Sequence, residues 1–204
     1  MKGPKLHVGL TGGICCGKST VSRILSQFTD VLVIDTDSLA KRLIFSDGLY
    51  ITIRKIFGSD VCTQGKVGKE ELSKVLFTDQ AKRKELEKVV HPLVWQEVKK
   101  LARESDQGII LVESALIFET GWSSLFDLVV VVACSETEQE RRLQTERKMT
   151  EMAAKQRIGA QMPLVEKVQR ADLVIWSDCN EVEMRRKVEK LYQNLVELKE
   201  GKLK

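Results

Sequence analysis

The sequence lacks long hydrophobic runs and is poor in aromatic residues. No apolar run approaches the roughly 20 residues that cross a bilayer, and the first residues do not follow a signal-peptide pattern. We therefore expect no membrane segment and a cytoplasmic location. Aromatic residues make up 5% of the chain and do not alternate with its basic clusters, as a base-stacking surface would require. Nucleic-acid binding is therefore not expected.

The cysteine content and the charge exclude further classes. Five cysteines, an odd number without regular spacing, indicate neither a disulfide framework nor a zinc site. The remaining composition, 43% hydrophobic and 30% charged among 204 residues, is typical of one globular domain with a substantial core. The net charge of +4 is small, and it favours a small polyanionic substrate over a nucleic acid.

One glycine-rich segment carries the strongest functional signal. It follows an apolar run at Leu6 to Leu10, which predicts a buried strand, and precedes a helical pattern over about 18–28. Between a strand and a helix, backbone amides and the helix N-terminus converge on one point and bind phosphate. The segment therefore predicts binding of a nucleoside triphosphate, ATP, with Mg²⁺. Its residues are Gly12, Gly13, Ile14, Cys15, Cys16, Gly17, Lys18, Ser19 and Thr20.

Within this loop the pattern G-x-x-x-x-G-K-S assigns two side chains. Lys18 is expected to reach the outer phosphates, and the hydroxyl of Ser19 is expected to bind the magnesium ion that accompanies them. The glycines allow the backbone to approach the phosphates closely.

Carboxylates follow two further predicted strands. Asp35 and Asp37 come after the apolar run 31–34, and Glu113 ends the run that begins at Gly108. Because ligands bind beyond the carboxyl ends of parallel strands, we expect these acids on the edge that carries the phosphate loop. One of the two aspartates could face magnesium-bound water and the other a second substrate, while helix capping is the alternative role. Glu113 is a candidate for a second acid of the phosphate site.

The rest of the chain alternates helical and strand-like patterns. Residues 38–106 are mostly helical and are too long for a simple connection, so they predict an inserted subdomain. Within it, Pro92 is expected at the first position of a new helix, and His91 beside it is more often structural than functional. Two more strands are predicted at 127–134 and 171–176, and helices at about 136–161 and 180–198.

An arginine-rich stretch follows the fourth predicted strand. Part of it is expected to form a mobile lid, since a guanidinium that arrives on closure can stabilise the charge that develops in phosphoryl transfer. Exposed helix faces explain some of these arginines equally well. They are Arg141, Arg142, Arg147 and Arg157.

The residues alone predict phosphoryl transfer from ATP and leave the acceptor open. The carboxylate pair favours a kinase over a regulatory ATP-binding module, because a base must accept a hydroxyl proton.

A series of motifs over about residues 6–195 resembles the dephospho-CoA kinase family. These motifs are Leu10-Thr11-Gly12-Gly13, Ile34-Asp35-Thr36-Asp37, Ala40-Lys41-Arg42, Val89-Val90-His91-Pro92, Glu113 to Gly121, Arg157-Ile158 with Gln161-Met162-Pro163, Glu166-Lys167, and Ala171 to Ile175.

The resemblance implies an α/β fold, a three-layer sandwich of the P-loop kinase type with a five-stranded parallel sheet. It implies one domain, with a core of about 1–37, 107–140 and 165–204, a helical acceptor-binding insert of about 38–106 and a helical lid of about 141–164. Assembly as a monomer or a small homo-oligomer is expected.

The resemblance also implies a reaction, transfer of the γ-phosphoryl group of ATP to the ribose 3′-hydroxyl of dephospho-CoA. By the same likeness Asp37 is the general base, Asp35 a magnesium-side acid, and Arg142 the arginine that grips the transferring phosphate beside Lys18. The acceptor pocket would include Asp37, His91, Leu116 and Glu119. Another small-molecule or nucleotide kinase is the alternative.

The sequence departs from the family pattern at several positions. Cys15 and Cys16 replace a Gly-Ser pair in the loop, and a positive φ at Cys15 would cost on the order of 1 kcal/mol. A thiol at a helix N-terminus beside a lysine is also acidified, so reversible oxidation at Cys16 or Cys15 is one hypothesis and simple space filling is the other. Glu146-Arg147 replaces an Arg-Asp pair, and Ser177 replaces an asparagine.

Overall fold

The computed structural model describes residues 4–63 and 65–201. The chain divides into two compact units, Met1–Ile34 with Ser105–Lys204, and Asp35–Glu104. In chain order the elements are β1 (Leu6–Gly12), α1 (Lys18–Leu25), β2 (Val31–Asp35), α2 (Thr36–Ile44), a 3₁₀ helix (Asp47–Leu49), α3 (Tyr50–Phe57), β3 (Cys62–Thr63), β4 (Lys66–Val67), α4 (Lys69–Thr78), α5 (Gln80–Glu104), β5 (Ile109–Glu113), a 3₁₀ helix (Trp122–Leu125), β6 (Leu128–Ala133), α6 (Glu136–Arg147), α7 (Glu151–Gly159), α8 (Leu164–Arg170), β7 (Leu173–Trp176) and α9 (Glu181–Lys199).

The main sheet has five strands in the order β2-β5-β1-β6-β7. β1 is central and pairs in parallel with β5 and β6, so that Leu10 lies opposite both Glu113 and Val130. Every residue of β6 is buried, as expected for a parallel strand covered by helices on both faces. The predicted α/β fold with a five-stranded parallel sheet is confirmed.

Helices α1 and α9 cover the sheet and position the glycine-rich loop. Val21, Ile24 and Leu25 of α1 are fully or almost fully buried in the core, which also contains Val188 and Leu195 of α9. Burying such a side chain contributes about 1.5–3 kcal/mol, so α1 is firmly held where it follows the loop.

The unit Asp35–Glu104 is mainly helical and is organised around α5. The prediction that Pro92 begins a new helix is wrong, because α5 runs through it without a break. Its buried residues recur at every fourth position on both sides of the proline, and the helix packs against α2, α3 and α4. Pro92 itself is exposed. These buried residues are Leu86, Val90, Val94, Val98 and Ala102.

The predicted helix over 136–161 is interrupted. α6 ends at Arg147, and Lys148 takes a left-handed conformation with φ 53°. Thr150 then caps α7, its side chain accepting a hydrogen bond from the amide of Ala153. Threonine competes with helical hydrogen bonding in this way, so two shorter helices form. Within the residues that the structure describes, no helix is both long and apolar enough to cross a membrane.

Candidate active site

The glycine-rich loop connects β1 to α1, and two of its glycines are required by geometry. Gly12 has φ 152°, and a Cβ there would lie 2.1 Å from the carbonyl oxygen of Val132. Gly17 precedes α1 in the left-handed conformation, with φ 88°. Only glycine adopts both conformations without strain, and the loop can therefore turn its amides toward a phosphate at the start of α1.

Cys15 also has a positive φ, of 56°. The positive φ considered in the sequence analysis is therefore present, and this conformation costs about 1 kcal/mol of backbone strain. Its carbonyl oxygen accepts a hydrogen bond of 3.1 Å from Nη1 of Arg142, which supports the strained turn.

Lys18 folds back over the loop. Its Nζ donates hydrogen bonds to the carbonyl oxygens of Gly13 at 3.0 Å and Gly12 at 3.4 Å. These acceptors keep the ammonium beside the loop amides, where it can exchange the carbonyls for phosphate oxygens.

Ser19 is hydrogen-bonded to the carboxylate that ends β5. Its Oγ donates to Glu113 Oε1 at 3.1 Å, and Ser22 Oγ donates to the other carboxylate oxygen at 2.5 Å. A hydroxyl and a carboxylate are hard oxygen donors that suit Mg²⁺. Across residues 4–63 and 65–201, no group of three or more His, Cys, Asp or Glu side chains could hold a metal by itself. The donors therefore fit a magnesium ion whose remaining ligands are phosphate oxygens and water.

Side chains of α6 donate hydrogen bonds to the tip of the glycine-rich loop. Gln139 is 3% exposed, and its Nε2 donates to the carbonyl oxygen of Ile14 at 2.8 Å. One turn later Arg142 bonds the next carbonyl, that of Cys15. Sequence reasoning missed Gln139, since it lies among many polar residues of a helix without a clear apolar face.

Besides the Cys15 carbonyl, Arg142 is held by Glu138 of its own helix and by Ser177, which follows β7. Its Nε donates to Glu138 at 2.6 Å, and its two Nη atoms reach the side chain and carbonyl of Ser177 at 3.2 and 2.9 Å. Hydrogen bonds from Arg141 and then Arg142 lower the pKa of Glu138 to about 2, so this carboxylate is charged at neutral pH. The guanidinium is thereby fixed beside the loop.

Asp178, which follows the buried Ser177, fastens the start of α6. Its carboxylate accepts hydrogen bonds from the amide of Ser135 at 3.1 Å and from its hydroxyl at 2.9 Å. Asp178 therefore orients the helix that holds the loop.

Glu119 forms an ion pair with a buried lysine. Nζ of Lys167, which is completely buried, is 2.8 Å from Glu119 Oε1 and donates to the carbonyl oxygen of Ala115 at 2.8 Å. Glu119 also accepts from the amide of Met162 at 3.2 Å. The ion pair thus joins the turn after β5 to α8, and the hydrogen bond from Met162 joins the same turn to the segment that precedes α8. Leu116, in the same turn, is half-buried.

The remaining predicted site residues belong to the unit Asp35–Glu104. Asp35 caps α2, and its carboxylate accepts from the amides of Asp37 and Ser38 at 2.9 and 3.2 Å and from the hydroxyl of Ser38 at 2.5 Å. Asp35 therefore caps α2, while its role on the metal side stays a prediction. Asp37 is exposed in the first turn of α2. His91 lies half-buried within α5, where burial lowers its pKa and the nearby Glu87 opposes the shift.

Comparison with known proteins gives consistent matches over nearly the whole chain. The family model described as dephospho-CoA kinase (CoaE) matches residues 6–183. The dephospho-CoA kinase of Thermosynechococcus vestitus is 33% identical over 192 residues, covering 93% of this chain and 95% of that protein. The dephospho-CoA kinase of Bacillus cereus is 37% identical over 193 residues, covering 92% and 96%. The crystal structure of TT1252 from Thermus thermophilus superposes with a TM-score of 0.83 at 28% identity, covering 94% of this chain and 97% of that one.

Proposed function

The chain belongs to the dephospho-CoA kinase family, and we propose that it phosphorylates the ribose 3′-hydroxyl of dephospho-CoA with ATP, giving coenzyme A and ADP in the last step of coenzyme A synthesis. The observation that carries the proposal is the family match over residues 6–183, together with a phosphate loop whose Lys18 and Ser19 have the surroundings that a kinase needs. A cytoplasmic location, absence of nucleic-acid partners, and a monomeric or small homo-oligomeric state are part of the proposal.

The phosphate loop supplies most of the ATP site in this proposal. Residues 12–20 present backbone amides and the N-terminus of α1 to the β- and γ-phosphates. Both favour negative charge, which the phosphates carry. Lys18 moves its ammonium from the Gly13 carbonyl to the phosphate oxygens. Little reorganisation is needed, because the loop is already held by α6.

Magnesium would be held by Ser19 and Glu113, with Asp35 as a further acid on the metal side. A magnesium ion held there would supply positive charge that offsets the charge developing on the transferring phosphoryl group. Glu113 orients the Ser19 hydroxyl through the hydrogen bond of 3.1 Å. Asp35 already accepts three hydrogen bonds, and a carboxylate has about four lone-pair sites, so one remains for a metal-bound water.

Asp37 is the proposed general base, accepting the proton of the 3′-hydroxyl as the phosphoryl group arrives. Its exposure in the first turn of α2 leaves the carboxylate accessible to an acceptor. Arg142 is proposed to stabilise the transferring phosphoryl group from its fixed position beside the loop. His91 and Leu116 are proposed to line the acceptor pocket, and Glu119 to shape it through its ion pair with Lys167.

An acceptor panel tests this proposal. ADP release from Mg-ATP would be measured with dephospho-CoA, adenosine, AMP, CMP and pantetheine, for the wild type and for Asp37→Asn. We expect turnover with dephospho-CoA only and its near-abolition in the variant. Equal turnover in Asp37→Asn would refute the base assignment, and turnover with a nucleotide instead would refute the acceptor.

A further inference from the structure

Two buried thiols meet beneath the phosphate loop. Cys16 belongs to the loop, and Cys134 directly follows β6. Their Sγ atoms are 3.2 Å apart, and the two residues are 0% and 2% exposed. Both are free cysteines, although they are separated by 118 positions in sequence. The distance between the sulfurs exceeds a disulfide bond by only about 1 Å.

We propose that Cys16 and Cys134 form an intramolecular disulfide on reaction with hydrogen peroxide, which makes the phosphate loop a site of reversible oxidation. The formation of this bond is independent of the proposed function. Its effect on turnover rests on that function, because the loop is the proposed ATP site.

The chemistry proceeds in two balanced steps. The Cys16 thiolate attacks one peroxide oxygen, the O–O bond breaks, and the sulfenic acid of Cys16 forms with release of the other oxygen as hydroxide, or water after protonation. The Cys134 thiol then attacks that sulfur, the S–O bond breaks, and a second water leaves as the disulfide forms. In total two thiols are oxidised, losing two hydrogen atoms, and one peroxide is reduced to two waters.

The surroundings give the two thiols different roles. The hydrogen bond from Cys134 and the nearby Lys18 lower the pKa of Cys16 despite its burial, while the same hydrogen bond and burial raise the pKa of Cys134. Since the thiolate is the nucleophile, Cys16 is the thiol that reacts first. Cys134 keeps its proton until the sulfenic acid has formed, and that proton leaves with the sulfenic hydroxyl as water when Cys134 attacks.

Burial of Cys16 limits which oxidants can reach its sulfur. A bulky disulfide cannot reach a thiol that is 0% exposed, whereas a small peroxide can enter when the loop opens locally. A ligand that binds the closed loop stabilises it against such opening. Bound Mg-ATP should therefore slow the oxidation.

Forming the bond should disturb the loop. The amide of Cys16 donates to the carbonyl oxygen of Gly13 at 3.3 Å, and a Cβ at Gly13 would be only 2.8 Å from the Cys16 sulfur, so the loop is closely packed around this thiol. Drawing the sulfur about 1 Å toward Cys134 shifts the phosphate-binding backbone, and misplacement on that scale can cost about a hundredfold in rate. We expect at least a tenfold fall in kcat/KM for ATP, which a dithiol reductant reverses.

The test treats the full-length protein with hydrogen peroxide, with and without Mg-ATP, and maps the disulfides by mass spectrometry before and after reduction. The expected result is one linked peptide pair containing Cys16 and Cys134, protected by Mg-ATP and accompanied by reversible inactivation. Cys134→Ala should keep its basal activity and form no bond, while the matched control Cys179→Ala should behave as the wild type. Substituting all of Cys15, Cys62 and Cys179 should leave the bond intact.

Other outcomes would overturn the proposal. A disulfide that includes Cys15 instead, or oxidation of Cys16 without any bond to Cys134, would refute the pairing. Equal peroxide inactivation of Cys134→Ala and the wild type would refute its link to activity. If the unoxidised protein fails to phosphorylate dephospho-CoA, the proposed function fails, while peptide mapping and ATP protection still decide the disulfide. Should Cys134→Ala fail to fold, Cys134→Ser provides the same comparison.

Discussion

Ser19 at the start of α1 and Glu113 at the end of β5 are joined by a hydrogen bond of 3.1 Å between the serine Oγ and the glutamate Oε1. The two residues are 94 positions apart, and the pairing of β1 with β5 in the sheet brings them together. The hydroxyl expected to bind magnesium is thus oriented before any nucleotide arrives.

Glu113→Gln should weaken the use of magnesium. The amide keeps the size of the side chain but loses the charge that orients Ser19 and attracts the cation, and losing an orienting partner typically costs about 10–100-fold in metal affinity or activity. Rates measured over a magnesium titration at saturating nucleotide should show a half-maximal concentration raised at least tenfold.

Ser22→Ala is the matched control for this prediction. It removes the hydrogen bond of 2.5 Å to the other Glu113 oxygen but leaves Ser19 and the carboxylate in place. Its half-maximal magnesium concentration should stay within about threefold of the wild-type value, because a single hydrogen bond contributes little net free energy. Equal shifts in Ser22→Ala and Glu113→Gln would mean that Glu113 acts only through packing.

Gln139→Met should raise the KM for ATP. Methionine matches the glutamine in length but leaves the Ile14 carbonyl without its buried donor, which costs about 1–3 kcal/mol and corresponds to roughly tenfold or more in affinity. We expect kcat to change less than KM. Gln144→Met, on the exposed face of the same helix, should leave both constants unchanged. An unaltered KM in Gln139→Met would show that the loop does not need this support.

Lys167→Met should destabilise the fold more than loss of an exposed ion pair does. It removes the completely buried cation and leaves the Ala115 carbonyl oxygen without its donor, which typically costs about 1–3 kcal/mol. The Glu119 carboxylate, 22% exposed, also loses its partner. Urea unfolding would measure the loss. Lys155→Met breaks an exposed pair with Glu151 and should cost less than about 1 kcal/mol. Similar losses in both variants would contradict the structural role assigned to Lys167.

Tyr192 should make stability depend on alkaline pH. Burial, and then its hydrogen bond to Asp30, raise the pKa of Tyr192 from 10.0 to about 12. The folded state therefore holds the phenolic proton more tightly than the unfolded state, and the stabilisation is present below pH 10 and lost as the pH rises toward 12.

Tyr192→Phe checks this dependence. The variant keeps a ring for the stack on Phe28, at 3.7 Å between centroids, but has no ionisable hydroxyl. Urea unfolding at increasing pH should show a smaller alkaline loss than in the wild type, starting from a stability lower by about 1 kcal/mol at neutral pH. An identical alkaline loss in both proteins would assign the effect to other groups.

Local patterns in the sequence predicted the five strands and the glycine-rich loop, because apolar runs and glycine spacing are local signals. They wrongly predicted that a new helix begins at Pro92. Proline is a local helix-breaking signal, whereas α5 is held together across it by buried residues that pack against other helices. The same limit applies to Lys148 and Thr150, whose break in the predicted helix over 136–161 depends on single-residue conformations.

The tertiary contacts that hold the glycine-rich loop could not be predicted from local patterns. Gln139 reaches Ile14, and Cys134 reaches Cys16, only after the strands have paired, and neither residue stands out from its neighbours in sequence. Glu119 illustrates the reverse case, in which family likeness suggested a pocket residue and the structure adds an ion pair with a buried lysine. Polar residues that act through tertiary hydrogen bonds have no periodic signature.

The most direct measurement of the central claim is the product balance with dephospho-CoA and Mg-ATP. We predict coenzyme A and ADP in equal amounts, with the new phosphate on the ribose 3′-oxygen, and neither product in appreciable amount from Asp37→Asn. Release of ADP without a phosphorylated acceptor, or a phosphate at any other position, would contradict the account.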